Sequence, residues 1–282
     1  MNGVLLINKP TNITSHGVVK HIRQMTKLKV GHTGTLDPQA TGVLIVMLGS
    51  ATKLSPYLNL STKKYVATCQ LGQKTDTGDI WGEVIEERKA IDVTQPQLEE
   101  ILNSFLGESY QKTPMVSAAK IKGKKLYEYH REGQVIDTPL RKIEVFDISL
   151  LSINDNSFTF EATVSSGTYI RTLCEDIATK LETIGTMSAL NRVGIGDFTI
   201  DQCVDLKDLT YLNWQSHLIS KKDVLTGLPY VHVNDPQPIF FGKPMEFKSE
   251  HDEVVVLFKD EVLAIYQRDE NSNVYKSKRG LW

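Results

Sequence analysis

Between Lys142 and Ser165 the chain reads KIEVFDISLLSI, then Asn154-Asp155-Asn156, then SFTFEATVS. Alternating segments on either side of a polar tripeptide predict two antiparallel strands joined by a tight turn. KKYVATCQLG places Tyr65, Ala67, Cys69 and Leu71 on one face of a further strand, and VLLIN and VLIVML read as short buried strands. Three helices are expected. SHGVVKHIRQMTK has Ser15 as N-cap with Val18, Val19, Ile22 and Met25 inward; Thr94 and Gln97 make a capping-box start for Leu98, Ile101, Leu102 and Phe105; TYIRTLCEDIATKL turns Ile170, Leu173, Cys174, Ile177 and Leu181 to the core. The fold class is therefore α+β, with a mixed, mainly antiparallel sheet and flanking helices rather than a doubly wound parallel sheet. A domain boundary is expected near Gly227-Leu228-Pro229, separating residues 1–229 from a small β module, 230–282, where EVVVLFKD and VLAIYQRD read as strands and helix signals are absent.

A chain of 282 residues with 40% hydrophobic and 23% charged residues is long and apolar enough to bury a sizeable core. Its three cysteines, Cys69, Cys174 and Cys203, form no CxxC pair, which disfavours a disulfide framework or zinc site and suits a reducing cytosol. No signal peptide or membrane span is expected, and the location is read as cytoplasmic. Net charge is only −2, but its distribution is lopsided. Met1 to Tyr65 carries eight Lys/Arg, Lys9 and Lys64 among them, against one acid, Asp37. A second basic run, Lys112 to Arg131, includes Lys120 and Lys124 and interleaves Tyr127, Tyr129 and His130. Either run alone reads as a solvated face. Together, in an otherwise acidic sequence, they point to a polyanion partner.

The lone acid lies in GHTGTLDPQATGVL, Gly31 to Leu44, a loop with three glycines. An Asx-turn explains Asp before Pro equally well in isolation. In a basic surround, however, a carboxylate stays ionised, which suits a nucleophile better than a general acid.

This segment resembles the catalytic-aspartate motif of the TruB family of tRNA pseudouridine synthases, which make pseudouridine at position 55 in the T loop of tRNA. NKPTNITS is similar to the family's K-P-x-G-x-T-S element, with Asn12 in place of glycine. KKY and LGQKTDTGDIWG resemble its second block, QKTPMVSAAKIKGKKLYEYHREG its RNA-gripping thumb (about residues 111–133), and SSGTYIRTLCEDIA its arginine block. The elements follow in family order over roughly residues 3–195. The resemblance implies Asp37 as catalytic aspartate, Tyr65 as the tyrosine stacking on the target base, and Arg171 as the arginine paired with the catalytic carboxylate. His32 corresponds to the histidine that helps open the T loop, Tyr169 to a pocket aromatic and Leu190 to an apolar wall. Asn191 stands where arginine is frequent before Arg192.

The resemblance also implies the pseudouridine synthase fold, a PUA-like C-terminal RNA-binding module and the T arm of tRNA as partner, held by phosphate contacts from Lys9, Lys64, Lys120 and Lys124. Isomerisation breaks a C1′–N1 bond and forms a C1′–C5 bond without oxidation or phosphoryl transfer, so neither cofactor nor metal is expected. A monomer needing no protein partner is expected, with an accessory role in tRNA folding. Three alternatives stay open: a tRNA-binding module without catalysis, a hydrolase using Asp37 as covalent nucleophile, and a guide-RNA-dependent relative.

Overall fold

The computed structural model describes residues 2–89, 91–270 and 272–282. Two compact units emerge. One comprises Met1–Pro38, Gly42–Asn59 and Ile200–Trp282; the other comprises Gln39–Thr41 and Leu60–Thr199.

The second unit is built on five strands paired in the order Gly185–Ile195, Thr62–Leu71, Ser157–Ser165, Leu140–Asn154 and Gly107–Lys112, each pair antiparallel. The expected hairpin is present. Asn154 faces Ser157, leaving Asp155 and Asn156 as the turn. Tyr65, Ala67, Cys69 and Leu71 are all buried, as their alternation requires. Helix Ile170–Lys180 packs on this sheet through Ile170, Leu173, Cys174 and Ile177. The approach is close at Gly185, where a Cβ would lie 2.7 Å from the Ala178 methyl and 3.0 Å from Cys69 Sγ. Helix Gln95–Asn103 buries Leu98 and Leu102 against the Leu140–Asn154 strand, each contributing about 2 kcal/mol. Thr94 is its N-cap residue, but its side chain makes no capping bond, so the expected capping box is not formed in full.

In the first unit, Gly3–Lys9 pairs antiparallel with Thr41–Leu48 and parallel with Val204–Asp205. Helix Ser15–Thr26 lays Val18, Val19 and Ile22 on Leu5, Ile7, Leu44 and Val46. Residues 230–280 add a five-stranded sheet in the order Tyr230–His232, Glu253–Phe258, Glu261–Arg268, Val274–Gly280 and Met245–Glu246. It has its own core of Ile239, Val254, Val256, Ala264, Tyr266 and Tyr275. Contrary to the expectation of no helix there, Gln237–Phe240 forms one short helical turn, with Pro238 early in it where a missing N–H is harmless. Buried Lys221 ties this sheet to the rest of the unit, its Nζ donating to the Val262 and Leu281 carbonyls at 2.7 Å each. Parallel pairs are few and antiparallel pairs many, so the mixed, mainly antiparallel α+β class holds. No helix among the described residues is long and apolar enough to cross a membrane.

Candidate active site

The Asp37 loop belongs to the first unit and begins where strand Val30–Thr33, which carries His32, ends. Gly34 takes a left-handed φ of 72°, turning the chain where a side chain would be strained. The loop is then pinned on both sides of the half-buried Asp37. Leu36, 4% exposed, is buried, and its backbone N–H and carbonyl both bond the Ser15 hydroxyl, at 2.9 and 3.1 Å. Beyond Asp37, the Pro38 carbonyl accepts from Lys9 Nζ at 3.0 Å.

Two expectations are corrected here. Ser15 is not the N-cap: Thr14 is, its side chain accepting from Gly17 N at 2.9 Å, which leaves the Ser15 hydroxyl for Leu36. Lys9 is not a surface cation awaiting phosphate. It is 0% exposed and also donates to the carbonyls of Pro10 and Ile13, at 2.8 Å each, because a buried ammonium must replace its hydration shell with acceptors. Asn12 has φ 61°, a left-handed conformation that glycine adopts freely and asparagine tolerates better than most residues.

The second unit holds Tyr65, Tyr169, Arg171 and Leu190. Tyr65, 7% exposed, stands in the Thr62–Leu71 strand between Ala162 and Arg192 of its neighbours. Leu190 lies opposite Ala67 on the adjoining strand. Arg171 is 6% exposed in the first turn of its helix. Its guanidinium donates to the Thr77 carbonyl at 2.8 Å and the Val116 carbonyl at 2.7 Å, and approaches Asp79 Oδ2 at 3.7 Å. Tyr169 precedes that helix as N-cap residue, and its backbone is gripped in both directions by buried Gln111: Tyr169 N–H donates to Oε1 at 2.8 Å, and Nε2 donates to the Tyr169 carbonyl at 3.0 Å. Asp79 lies in the LGQKTDTGDIWG block and Gln111 opens the thumb block, so both fall in segments that the resemblance covers, without a role of their own there.

Of the remaining cations, Lys64 is exposed and paired with Glu161 at 2.6 Å. Lys120 and Lys124 lie on the short hairpin Lys120–Ile121 and Lys124–Lys125. Lys120 is exposed; Lys124 bonds Glu132 and sits 4.6 Å from the Tyr129 ring centroid. His130 Nε2 lies 3.3 Å from Asp76 Oδ2. The Lys63 amine is lowered to about 8, first by burial and second by the charge of Arg192. Among the described residues no group of three or more His, Cys, Asp or Glu is placed to hold a metal ion.

The first unit thus presents a carboxylate on an anchored loop, and the second a fixed guanidinium with an aromatic side chain on a rigid strand. Residues 20–170 match the model of the TruB family pseudouridylate synthase N-terminal domain, and residues 171–228 that of the tRNA pseudouridylate synthase B C-terminal domain. The chain belongs to the TruB family of pseudouridine synthases. Proteins named tRNA pseudouridine synthase B are similar to it throughout: that of Mesoplasma florum is 39% identical, covering 99% of this chain and 98% of the relative. That of Caldicellulosiruptor saccharolyticus is 45% identical over 88% of this chain and 85% of the relative, and that of Clostridium tetani 37% over 100% and 98%. Among solved structures, a chain in the crystal structure of a Cbf5-Nop10-Gar1 complex superimposes with a TM-score of 0.72 at 25% identity, covering 99% of this chain and 85% of the other. The TruB-type pseudouridine synthase is an isomerase on the pseudouridine synthase fold.

Proposed function

We propose that this protein isomerises uridine to pseudouridine at position 55 in the T loop of tRNA, with Asp37 as the nucleophile. The observation carrying the reading is the double anchorage of the Asp37 loop, at Leu36 by Ser15 and at Pro38 by Lys9. A loop fixed on both sides of one carboxylate is expensive to build for a simple turn and suits a group that must be aimed.

The steps follow from the chemistry of the target. A base stacked in a folded loop must first be flipped out, costing a few kcal/mol. Tyr65 receives it by stacking, worth about 1–3 kcal/mol. Ionised Asp37 then attacks the uracil ring or the sugar C1′, the glycosidic bond to N1 breaks, uracil turns, C5 bonds C1′ and the C5 proton leaves. The resemblance assigns to Arg171 the pairing with the catalytic carboxylate, and a guanidinium in that role favours an ionised nucleophile as water is excluded. Leu190 and Tyr169 supply pocket walls, and His32 assists in opening the loop. Lys64, Lys120 and Lys124 take phosphates, exchanging carboxylate partners for RNA where they have them. Lys9 serves the loop from below instead.

The same grip would assist tRNA folding. Residues 1–229 act as the catalytic domain and residues 230–282 as the RNA-binding module, in a cytoplasmic monomer. Action without protein partners is favoured because identity to proteins named tRNA pseudouridine synthase B reaches 45%, against 25% for the chain in a Cbf5-Nop10-Gar1 complex. The test is incubation with unmodified tRNA and mapping of pseudouridine. Modification confined to the T loop, abolished in Asp37→Asn with RNA binding retained, supports the reading; binding without any isomerisation by the unaltered protein refutes it.

A further inference from the structure

The Ser15 side chain is 2% exposed and is committed to a single residue twenty-one positions away. Its oxygen accepts from Leu36 N–H at 2.9 Å and its proton goes to the Leu36 carbonyl at 3.1 Å. A serine hydroxyl has one proton to donate, so this arrangement uses it fully. The helix makes no use of it, since Thr14 already caps the N-terminus. The Leu36 carbonyl belongs to the peptide group whose nitrogen is that of Asp37. Fixing its direction therefore fixes the plane from which the Asp37 side chain departs.

We propose that Ser15 is a positioning residue for Asp37, its hydroxyl setting the direction of the carboxylate before RNA arrives. This rests on the reading of Asp37 as nucleophile. Without the hydroxyl, the buried N–H and carbonyl of Leu36 lose their partner and turn to find others. Lys9 still holds the Pro38 carbonyl, so the loop pivots about that point instead of detaching. Misplacing a reacting group by about 1 Å costs on the order of a hundredfold in rate.

The experiment compares single-turnover rates on saturating T-arm RNA for the unaltered protein, Ser15→Ala, Ser15→Cys and Val18→Ala, with RNA affinity and melting temperature measured for each. Val18 is fully buried on the same helix and touches neither Leu36 nor Pro38 by hydrogen bond, so its truncation controls for a weakened helix. The expected result is a rate loss of about ten- to a hundredfold in both Ser15 variants with unchanged affinity, and no comparable loss in Val18→Ala despite a lower melting temperature. Should Ser15→Ala not fold, Ser15→Cys decides alone, because a thiol fills the space but is a poor donor and acceptor. An undiminished rate in the Ser15 variants overturns the proposal, as does an equal loss in Val18→Ala. Activity in the unaltered protein with loss in Asp37→Asn keeps the functional reading standing whichever way Ser15 behaves; inactivity of the unaltered protein removes both.

Discussion

Arg171 Nη1 lies 3.7 Å from Asp79 Oδ2, and both side chains are largely withdrawn from water. The guanidinium also spans two backbone carbonyls, those of Thr77 and Val116. Nη1 serves Thr77 and Nη2 serves Val116, so the planar fork reaches both from separate nitrogens, whereas the three donors of a lysine ammonium radiate from one.

Arg171→Lys is therefore expected to destabilise the fold by about 1–3 kcal/mol, the cost of leaving a buried carbonyl unpaired. Asp79→Asn should cost about 1 kcal/mol, because it removes one charged neighbour of Arg171 while the carbonyl partners stay. Urea unfolding midpoints check both. Midpoints equal to the unaltered protein would show that Arg171 is held by something other than these partners.

Lys9→Met is expected to destabilise by about 3 kcal/mol or more, because three carbonyls lose a charged donor inside the protein. Lys64→Met, at an exposed surface pair, should change stability by less than about 1 kcal/mol. Thermal melts of the two variants side by side separate a structural lysine from a surface one.

Lys63 should titrate near pH 8, displaced downward by burial and then by Arg192. The unfolded chain holds this proton more tightly than the folded one, so between about pH 8 and the ordinary lysine value stability rises with pH. Lys63→Met should flatten that rise. Chemical denaturation across the window, with an NMR titration of the Lys63 side chain, measures it; an unaltered slope in the variant refutes the assignment.

RNA binding should weaken steeply with salt, by roughly a thousandfold between 50 and 200 mM if about six phosphates are neutralised. Lys120→Gln should lower the logarithmic salt slope by about 1. Lys124→Gln should lower affinity less, since Lys124 must release Glu132 before it can take a phosphate. A flat salt response would count against phosphate docking altogether.

Much of the architecture was legible locally. The period-two alternation of Tyr65, Ala67, Cys69 and Leu71 sufficed for a buried strand face, and Asn154-Asp155-Asn156 for the turn of a hairpin. The inward faces of the helices containing Val18 and Leu173 were equally plain. The N-cap assignment failed at Ser15 because Thr14 and Ser15 are chemically equivalent caps, and the choice was made by Leu36, far along the chain. Gln111 opens the thumb block, but its hold on Tyr169 is not legible there, since the two bonds join residues 58 positions apart and leave no periodic trace.

The order of amino acids by itself determined the long strands, the three longer helices, the uneven charge and the TruB blocks that contain Asp37, Tyr65 and Arg171. Only the tertiary structure decided that Lys9 lies beneath a loop and not before a phosphate, that Ser15 holds Leu36, and that Arg171 meets Asp79. The reason is physical: periodicity is a property of neighbours, whereas the partner of a buried polar group is chosen by whatever acceptor or donor the fold brings within about 3 Å once water is gone.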